Sequence, residues 1–260
     1  MNKFFTILCL SSLLLVSCSP KPTHQAKLLA HRGFWSTAGE VTTDENTIDA
    51  LIRAQEAGVD GVEFDVHLTT DGELVIRHDN KIAPGLSCQG NTLEEIKAWT
   101  LPFGHKIPTL REWLEQARKT PEIHMCLEIK AHPGDAEKTI ITKSLEMIRE
   151  LGMTDQVSFL SFKPETLDEV IRQDPKMPTV LNSSDLHHSL PPEEVKKRGY
   201  TGASYNISVI LNHPEWIKQF QDYGIDTYFW MTDSIYLRDL ANGLGFTWLT
   251  TDFYDMLKYN

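Results

Sequence analysis

The segment 63-EFDVHLTTDGELVIRHD-79 carries five carboxylates and two histidines in seventeen residues. Its apolar residues alternate with polar ones, in two short runs, FDV and LVIR, around Asp71-Gly72. That pattern predicts two strands joined by a tight turn. A two-residue turn at 71–72 sets residue 70 against 73 and, counting back, Asp65 opposite His78, with cross-strand Cβ atoms about 5 Å apart. Glu63 and Asp65, two apart, share one face. Strands favour apolar and β-branched residues, so acids and histidines at these positions ask for a chemical reason.

The rest of the chain repeats the theme. Candidate strands are 28–31 (LLAH), 61–66, 73–78, 125–130 (MCLEIK), 156–162, 178–182, 202–206, 226–231 and 246–250. Amphipathic helical segments lie between many of them, at 46–58, 109–119, 136–152, 213–224 and 234–243. The polar, proline-bearing segment 182–194 reads as a loop. Alternation of this kind predicts an α/β fold, with a closed (β/α)8 barrel first and an open doubly wound sheet second. No glycine-rich phosphate loop follows a strand, which weakens the nucleotide-binding versions. Residues 28–260 show no linker or change of composition and are read as one domain. A (β/α)8 barrel has eight strands and nine are predicted, so one is extra or the hairpin counts once.

In such a barrel the carboxyl ends of the strands form the active face. There the sequence places His31 and Arg32, Glu63 and Asp65, His78 and Asp79, Glu128 and Lys130, and Ser161 and Phe162. Glu63, Asp65 and Glu128 offer only oxygen ligands, which suits Mg2+ or Ca2+ rather than zinc. Arg32 and Lys130 suit an anionic substrate. Two histidines from different strands suit acid–base work near neutral pH. Together these groups fit phosphoryl transfer, and some would also serve carbonyl chemistry on a phosphorylated sugar. His67 shares the face of Glu63 and Asp65 but lies nearer the turn. His24, His105, His124, His187, His188 and His213 read as surface or loop residues.

The 260 residues include 25 Lys plus Arg and 36 Asp plus Glu, a net charge of -11. That balance argues against nucleic acid as a partner. The amino terminus reads as a signal peptide over residues 1–17: a basic MNK, then the apolar FFTILCLSSLLLV, too short to span a membrane. LVSC (15–18) resembles the bacterial lipobox. This implies a lipid anchor at Cys18, a tether over 18–27 and a place in the bacterial cell envelope, periplasmic or surface-exposed. Ser19, rather than Asp, follows the cysteine and favours the outer membrane. An ordinary secretory signal is the alternative. Of the four cysteines only Cys88 and Cys126 lie beyond this region. They can pair in an oxidising compartment, though nothing in their spacing requires it.

AHRG (30–33), ENT (45–47), the segment 63–79, LEIK (127–130), SF followed by KPE (161–165) and a closing TD (251–252) occur in this order. In that order they resemble the glycerophosphodiester phosphodiesterase family over about residues 28–255. HRG alone is a weak signal; the whole series is specific. The resemblance implies a TIM barrel that hydrolyses glycerophosphodiesters to sn-glycerol 3-phosphate and an alcohol. It implies catalytic His31 and His78, a divalent ion on Glu63, Asp65 and Glu128, and substrate contacts from Arg32, Lys130, Glu45 and Trp230. Glu45 is expected to support Arg32 or a histidine, while Asn46 and Thr47 can instead cap the next helix. YFWMTD (228–233), TTDFY (250–254) and Lys163 depart from the family pattern and bear on the outer pocket wall. Two other readings are a phosphodiesterase for a lysophospholipid or another diester, with an apolar groove from Phe34, Trp35 and Phe103, and a lipoprotein that binds phosphodiesters without turnover.

Overall fold

The computed structural model describes residues 24–37 and 39–259. The signal segment and Cys18 lie outside the described residues. Nine strands form the main sheet: β1 Lys27–His31, β2 Gly61–Leu68, β3 Leu74–Ile76, β4 His124–Ile129, β5 Val157–Ser161, β6 Thr179–Ser183, β7 Gly202–Asn206, β8 Asp226–Trp230 and β9 Trp248–Thr251. β1 pairs in parallel with both β2 and β9, so the sheet closes. Eight parallel strands make the barrel, in the order β1-β9-β8-β7-β6-β5-β4-β2. The ninth, β3, pairs antiparallel with the upper end of β2. The expected (β/α)8 barrel is therefore present, and the hairpin accounts for the extra strand.

The hairpin register differs from the expected one by a residue. Leu68 pairs with Leu74 and Val66 with Ile76, and Arg77 N donates to Asp65 O at 3.0 Å. Asp65 thus faces Arg77 rather than His78. The cause is a three-residue loop: Thr69 N donates to Glu73 O at 2.9 Å, and Gly72 adopts φ 80°. That geometry is a turn closed by a left-handed residue, which favours glycine.

The helices are α1 Ile48–Ala57, α2 Leu93–Ala98, α3 Leu110–Ala117, α4 Ala136–Glu150, α5 Pro164–Gln173, α6 Pro192–Arg198, α7 Ile207–Asn212, α8 Glu215–Asp222, α9 Ile235–Leu244 and α10 Tyr254–Tyr259. α1 ends on Gly58 at φ 62°. α2 and α3 both start with reciprocal Thr-Glu capping boxes, Thr92 with Glu95 and Thr109 with Glu112. Segment 182–194 is only partly a loop, because β6 runs to Ser183 and α6 starts at Pro192. α5 and α6 carry proline in their first turn, where its missing N–H leaves nothing unpaired. The helix expected over 213–224 is α8, and a further short helix, α7, precedes it and is capped at His213.

Strand alternation divides the core in two. Val62, Phe64 and Val66 of β2, with Met125, Leu127 and Ile129 of β4, belong to the large cluster that includes helix residues such as Trp113 and Ile140. Phe64 stacks on Trp113 with centroids 4.9 Å apart. The opposite faces turn into the barrel. Leu29, Cys126, Leu160, Val180, Tyr228 and Trp248 form a separate apolar plug there. Two residues further along the same strands stand His31, Glu128, Asn182, Trp230 and Thr250. A period of two therefore lifts each of these positions onto the same interior face, one layer nearer the active end.

Cys126 in the plug and Cys88 in a cluster with Val75, Ile96 and Ile107 are both free and buried. Residues 24–27 are already part of the body. Ala26 is buried, and its N–H donates to Asn242 Oδ1 at 2.9 Å. His124 is not a loop residue. It starts β4, bonds Ser158 Oγ at 2.9 Å and packs against the Trp248 ring. Burial, with Lys27 nearby, lowers its imidazole to about 4. An unfolded histidine takes its proton near 6.5, so the unfolded chain binds the proton first and stability falls as pH drops from 6.5 to 4. We expect His124→Asn to flatten that part of the curve of urea midpoint against pH. An unchanged slope would show that other groups carry the acid sensitivity.

Candidate active site

The turn after β1 is built by backbone conformation. Arg32 has φ 58° and Gly33 φ 85°. A Cβ on Gly33 would stand 2.9 Å from Ala50 Cβ and 3.0 Å from Ala50 C. Only glycine lets α1 approach this closely, and Phe34 N donates to Ala50 O at 3.0 Å. The turn also directs Arg32 N toward Glu63 Oε2 at 3.2 Å. Asn46 sits at φ 55°, a conformation asparagine tolerates. Its Nδ2 donates to Asp65 Oδ2 at 2.7 Å. Thr47, not Asn46, caps α1, by accepting from Ala50 N at 3.2 Å.

The expected site residues converge at the carboxyl end of the barrel. Glu63, Asp65 and Glu128 are all buried, and each offers an oxygen within 4.8 Å of the others. Register explains it: Asp65 pairs with Glu128 and His31 with Glu63 on adjacent strands. Lys130 Nζ lies 2.8 Å from Glu128 Oε1 and 3.1 Å from Asp65 Oδ1. Arg32 Nη1 donates to Glu45 Oε2 at 2.9 Å, and its Nε is 3.9 Å from Asp65 Oδ2. Glu45 therefore holds the guanidinium. His31, Arg32, His78, Lys130 and Trp230 line a cavity of about 120 Å3 above the acids. Trp230 Nε1 donates to Ser204 O at 3.1 Å, and its ring meets Phe162 edge-on at 6.1 Å.

The charges in this cluster are unequal. Burial and the Asp65 charge push Glu63 up to about 8. Burial and Asp65 also raise Glu128. For Asp65 burial acts the same way, but Lys130, the histidines and Arg32 outweigh it, and its pKa falls. One Glu63 oxygen, Oε1, is buried with no hydrogen-bond partner. Three buried carboxylates, one with an orphaned oxygen, form a donor set of the kind hard divalent cations prefer.

The two histidines are held differently. His31 Nδ1 meets Asp252 Oδ1 at 2.8 Å, and its Nε2 is 3.8 Å from Glu63 Oε2. Burial would depress this imidazole, but the Asp252 hydrogen bond and the charges of Glu63 and Asp252 outweigh it and lift it to about 9. His78 Nδ1 pairs with Asp79 Oδ1 at 2.8 Å. There burial, helped by Lys130 and Arg32, wins over the attraction of Asp65, and the pKa falls below its ordinary value. His67 is buried, bonds His78 O at 3.1 Å and is pushed by burial to about 4. His132 accepts from Leu68 N at 3.1 Å. Both brace the hairpin.

Other placements are new or different. Phe34 packs against the core and Tyr254, and the cavity's apolar wall comes from Leu160, Phe162, Trp230 and Met231 instead of Phe34, Trp35 and Phe103. Sequence assigns no role to Asp252 or Asn182, and to Asn46 only a capping one. The TD and ENT motifs were the available signals for Asp252 and Asn46.

The description "Glycerophosphoryl diester phosphodiesterase family" fits residues 31–256, nearly the whole described body. The chain belongs to that family. A crystal structure of a glycerophosphodiester phosphodiesterase from Parabacteroides distasonis is similar, with 34% identity, a TM-score of 0.81, and coverage of 88% of this chain and 93% of that one. A glycerophosphodiester phosphodiesterase of Caldanaerobacter subterraneus is 35% identical over 165 residues, 58% of this chain and 63% of that protein's length. An Oleispira antarctica phosphodiesterase, solved in complex with the product sn-glycerol-3-phosphate, shares the fold at 24% identity and a TM-score of 0.75. The expectation drawn from the HRG-to-TD motif series is thus met at the level of family and fold.

The His31–Asp252 pair gives a direct test. Asp252→Asn removes the charge that offsets burial, so the His31 pKa should fall from about 9 toward or below 6.5. Imidazole resonances followed by NMR against pH would show it. A pKa that stays near 9 would assign the lift to Glu63 alone.

Proposed function

We propose that this protein hydrolyses glycerophosphodiesters to sn-glycerol 3-phosphate and an alcohol, with His31 as general acid, His78 as general base and a divalent cation on Glu63, Asp65 and Glu128. The observation that carries the reading is the convergence of two histidines, each paired with its own aspartate, on one small cavity beside a buried acid cluster. A phosphodiester has to lose a proton at the nucleophile and gain one at the leaving oxygen. Pairing with Asp252 favours the protonated form of His31 and burial favours the neutral form of His78, which suits them to giving and taking a proton.

Arg32 and Lys130 bind the phosphate oxygens, and Glu45 fixes the plane of the guanidinium. Trp230 supports the glycerol carbons. The glycerol 2-hydroxyl gives its proton to His78 and bonds to phosphorus. The bond from phosphorus to the departing alcohol breaks, and that oxygen takes the proton of His31. Neutral His31 then accepts a proton from water as the water opens the cyclic phosphate, and His78 returns its proton to the 2-oxygen. Both histidines end as they began. Mg2+ or Ca2+ on the three acids would supply Lewis-acid stabilisation of charge on the phosphate oxygens. The acids fit that ion because they are buried, close and incompletely paired without it.

The same proposal includes a lipid anchor at Cys18 that holds the domain at a bacterial envelope membrane, the outer one being favoured. It is supported by the basic, apolar and LVSC order of residues 1–18. Incorporation of labelled palmitate into the whole protein, lost in Cys18→Ala, would test it.

For the activity, purified protein stripped of metal would be mixed with glycerophosphocholine and glycerophosphoethanolamine. Glycerol 3-phosphate should appear with Mg2+ or Ca2+ and not with EDTA. His31→Ala and His78→Ala should each lower kcat by about 10²- to 10⁴-fold. Release that ignores EDTA would remove the cation from the account. Absence of release by the intact, metal-loaded protein would favour a lysophospholipid or another diester as substrate, and failure on every diester would favour binding without turnover.

A further inference from the structure

We infer that the mouth of the barrel faces away from the membrane that carries the Cys18 anchor, so that the substrate is a diester dissolved in the compartment and not a lipid standing in that membrane. The inference rests on the anchor and glycerophosphodiester readings and deepens them.

The described body starts at the amino end of the barrel. Lys27 opens β1 and pairs with Trp248, the first residue of β9. Its N–H donates to Thr247 O at 2.9 Å, and its ammonium lies 5.0 Å from the centre of the Trp248 ring. The N–H of Ala26 is held by Asn242 in the last turn of α9, and the His24 ring meets Phe246 O. Leu28 N donates at 2.8 Å to Asp60, which directly precedes β2. In a (β/α)8 barrel the helices return antiparallel to the strands, so helix ends and strand starts share one rim. Residues 24–28 are therefore fastened at the rim opposite His31, His78 and the acids.

Cys18 and His24 are six residues apart. Even fully extended, that length of chain spans at most about 20 Å. A globular domain of this size is about 45 Å across, by the scaling of its radius of gyration. The tether is too short to run from the fastened rim past the side of the barrel and set the mouth on the bilayer. A lipid standing in that bilayer holds its phosphate at the headgroup surface, while the acids, Arg32 and Lys130 lie at the far end of the barrel. Such a lipid would have to leave the membrane to be cut, whereas a dissolved diester reaches the mouth directly. Phe162, Leu211 and Tyr236 are exposed, and each lies in a segment that follows the carboxyl end of a strand. They are the apolar groups an inverted domain would press into lipid, and the tether holds them away from it.

The test uses the lipidated protein, expressed from the whole sequence and reconstituted in vesicles of phosphatidylethanolamine and phosphatidylglycerol with an energy acceptor on some headgroups. A donor dye is attached through Tyr223→Cys, before β8, or through Tyr236→Cys, after it. Both positions are exposed, and Cys88 and Cys126 are buried. Energy transfer should be strong from the Tyr223 position and lower from the Tyr236 position. A tether lengthened by about twenty Gly and Ser residues after Ser19 should shrink that difference, because the domain can then turn over. Anchoring should leave kcat/KM for glycerophosphocholine equal to that of Cys18→Ala, which stays in solution. Transfer from the Tyr236 position that equals or exceeds that from Tyr223, a difference unmoved by the longer tether, or activity lost on anchoring would overturn the proposal, while labelled palmitate in the protein would still uphold the anchor. Absence of palmitate would remove the anchor reading, and the proposal with it. If wild type turns over no diester, the activity reading fails, and the transfer comparison alone decides which way the mouth faces.

Discussion

Burying Glu63, Asp65 and Glu128 with oxygens within 4.8 Å of one another is the constraint to which the rest of the active end answers. Like charges at that spacing, out of water, cannot all remain ionised without a positive partner. The chain supplies two: Lys130 bridges Asp65 and Glu128, and Arg32 approaches Asp65 while tied to Glu45. Neither cation pairs with Glu63 Oε1. Burial and the Asp65 charge instead push Glu63 up to about 8, and a divalent ion is the group that would relieve it. Lys130 and Arg32 also line the cavity above the acids, so the residues that hold the buried charge are the ones proposed to bind the phosphate.

The barrel makes this arrangement possible because its lower interior is closed. Leu29, Cys126, Val180, Tyr228 and Trp248 fill the space below the site. Strand alternation carries the next inward position on each of those strands to the level of the acids. The apolar plug lowers the local dielectric and raises every electrostatic stake above it. Asp252, at the end of the last strand, then tips His31 toward the charged form, while His78, on the hairpin and half exposed, is left neutral. Two identical side chains acquire opposite protonation tendencies from their surroundings.

Much of this was legible in the sequence, for a physical reason. Alternation and helical periodicity are local, and the acids and histidines end strands, so a barrel with one chemical end could be read from the spacing of residues 28–31, 61–66 and 125–130. What could not be read were contacts set by the closed fold. Asp252 meets His31 across 221 positions. Asn46 reaches Asp65 only because a left-handed turn aims it there. The hairpin register slipped by one because Thr69 and Gly72 close a three-residue loop, a choice the Asp71-Gly72 pair alone does not settle. His124 looked like a loop residue because its partner Ser158 and its neighbour Trp248 come from other strands. α5 and α6 were hidden behind prolines that belong to their first turns.

The most direct test of the account is thermal unfolding of the metal-stripped protein with EDTA, with Mg2+ and with Ca2+, beside Asp65→Asn. A cation that binds only the folded acid cluster stabilises it by mass action. The account predicts a rise in Tm of about 5 °C or more for wild type at an ion concentration well above Kd, and little or none for the variant. An unchanged wild-type Tm, or the same rise in both proteins, would contradict the claim that the buried acids are built around a divalent ion.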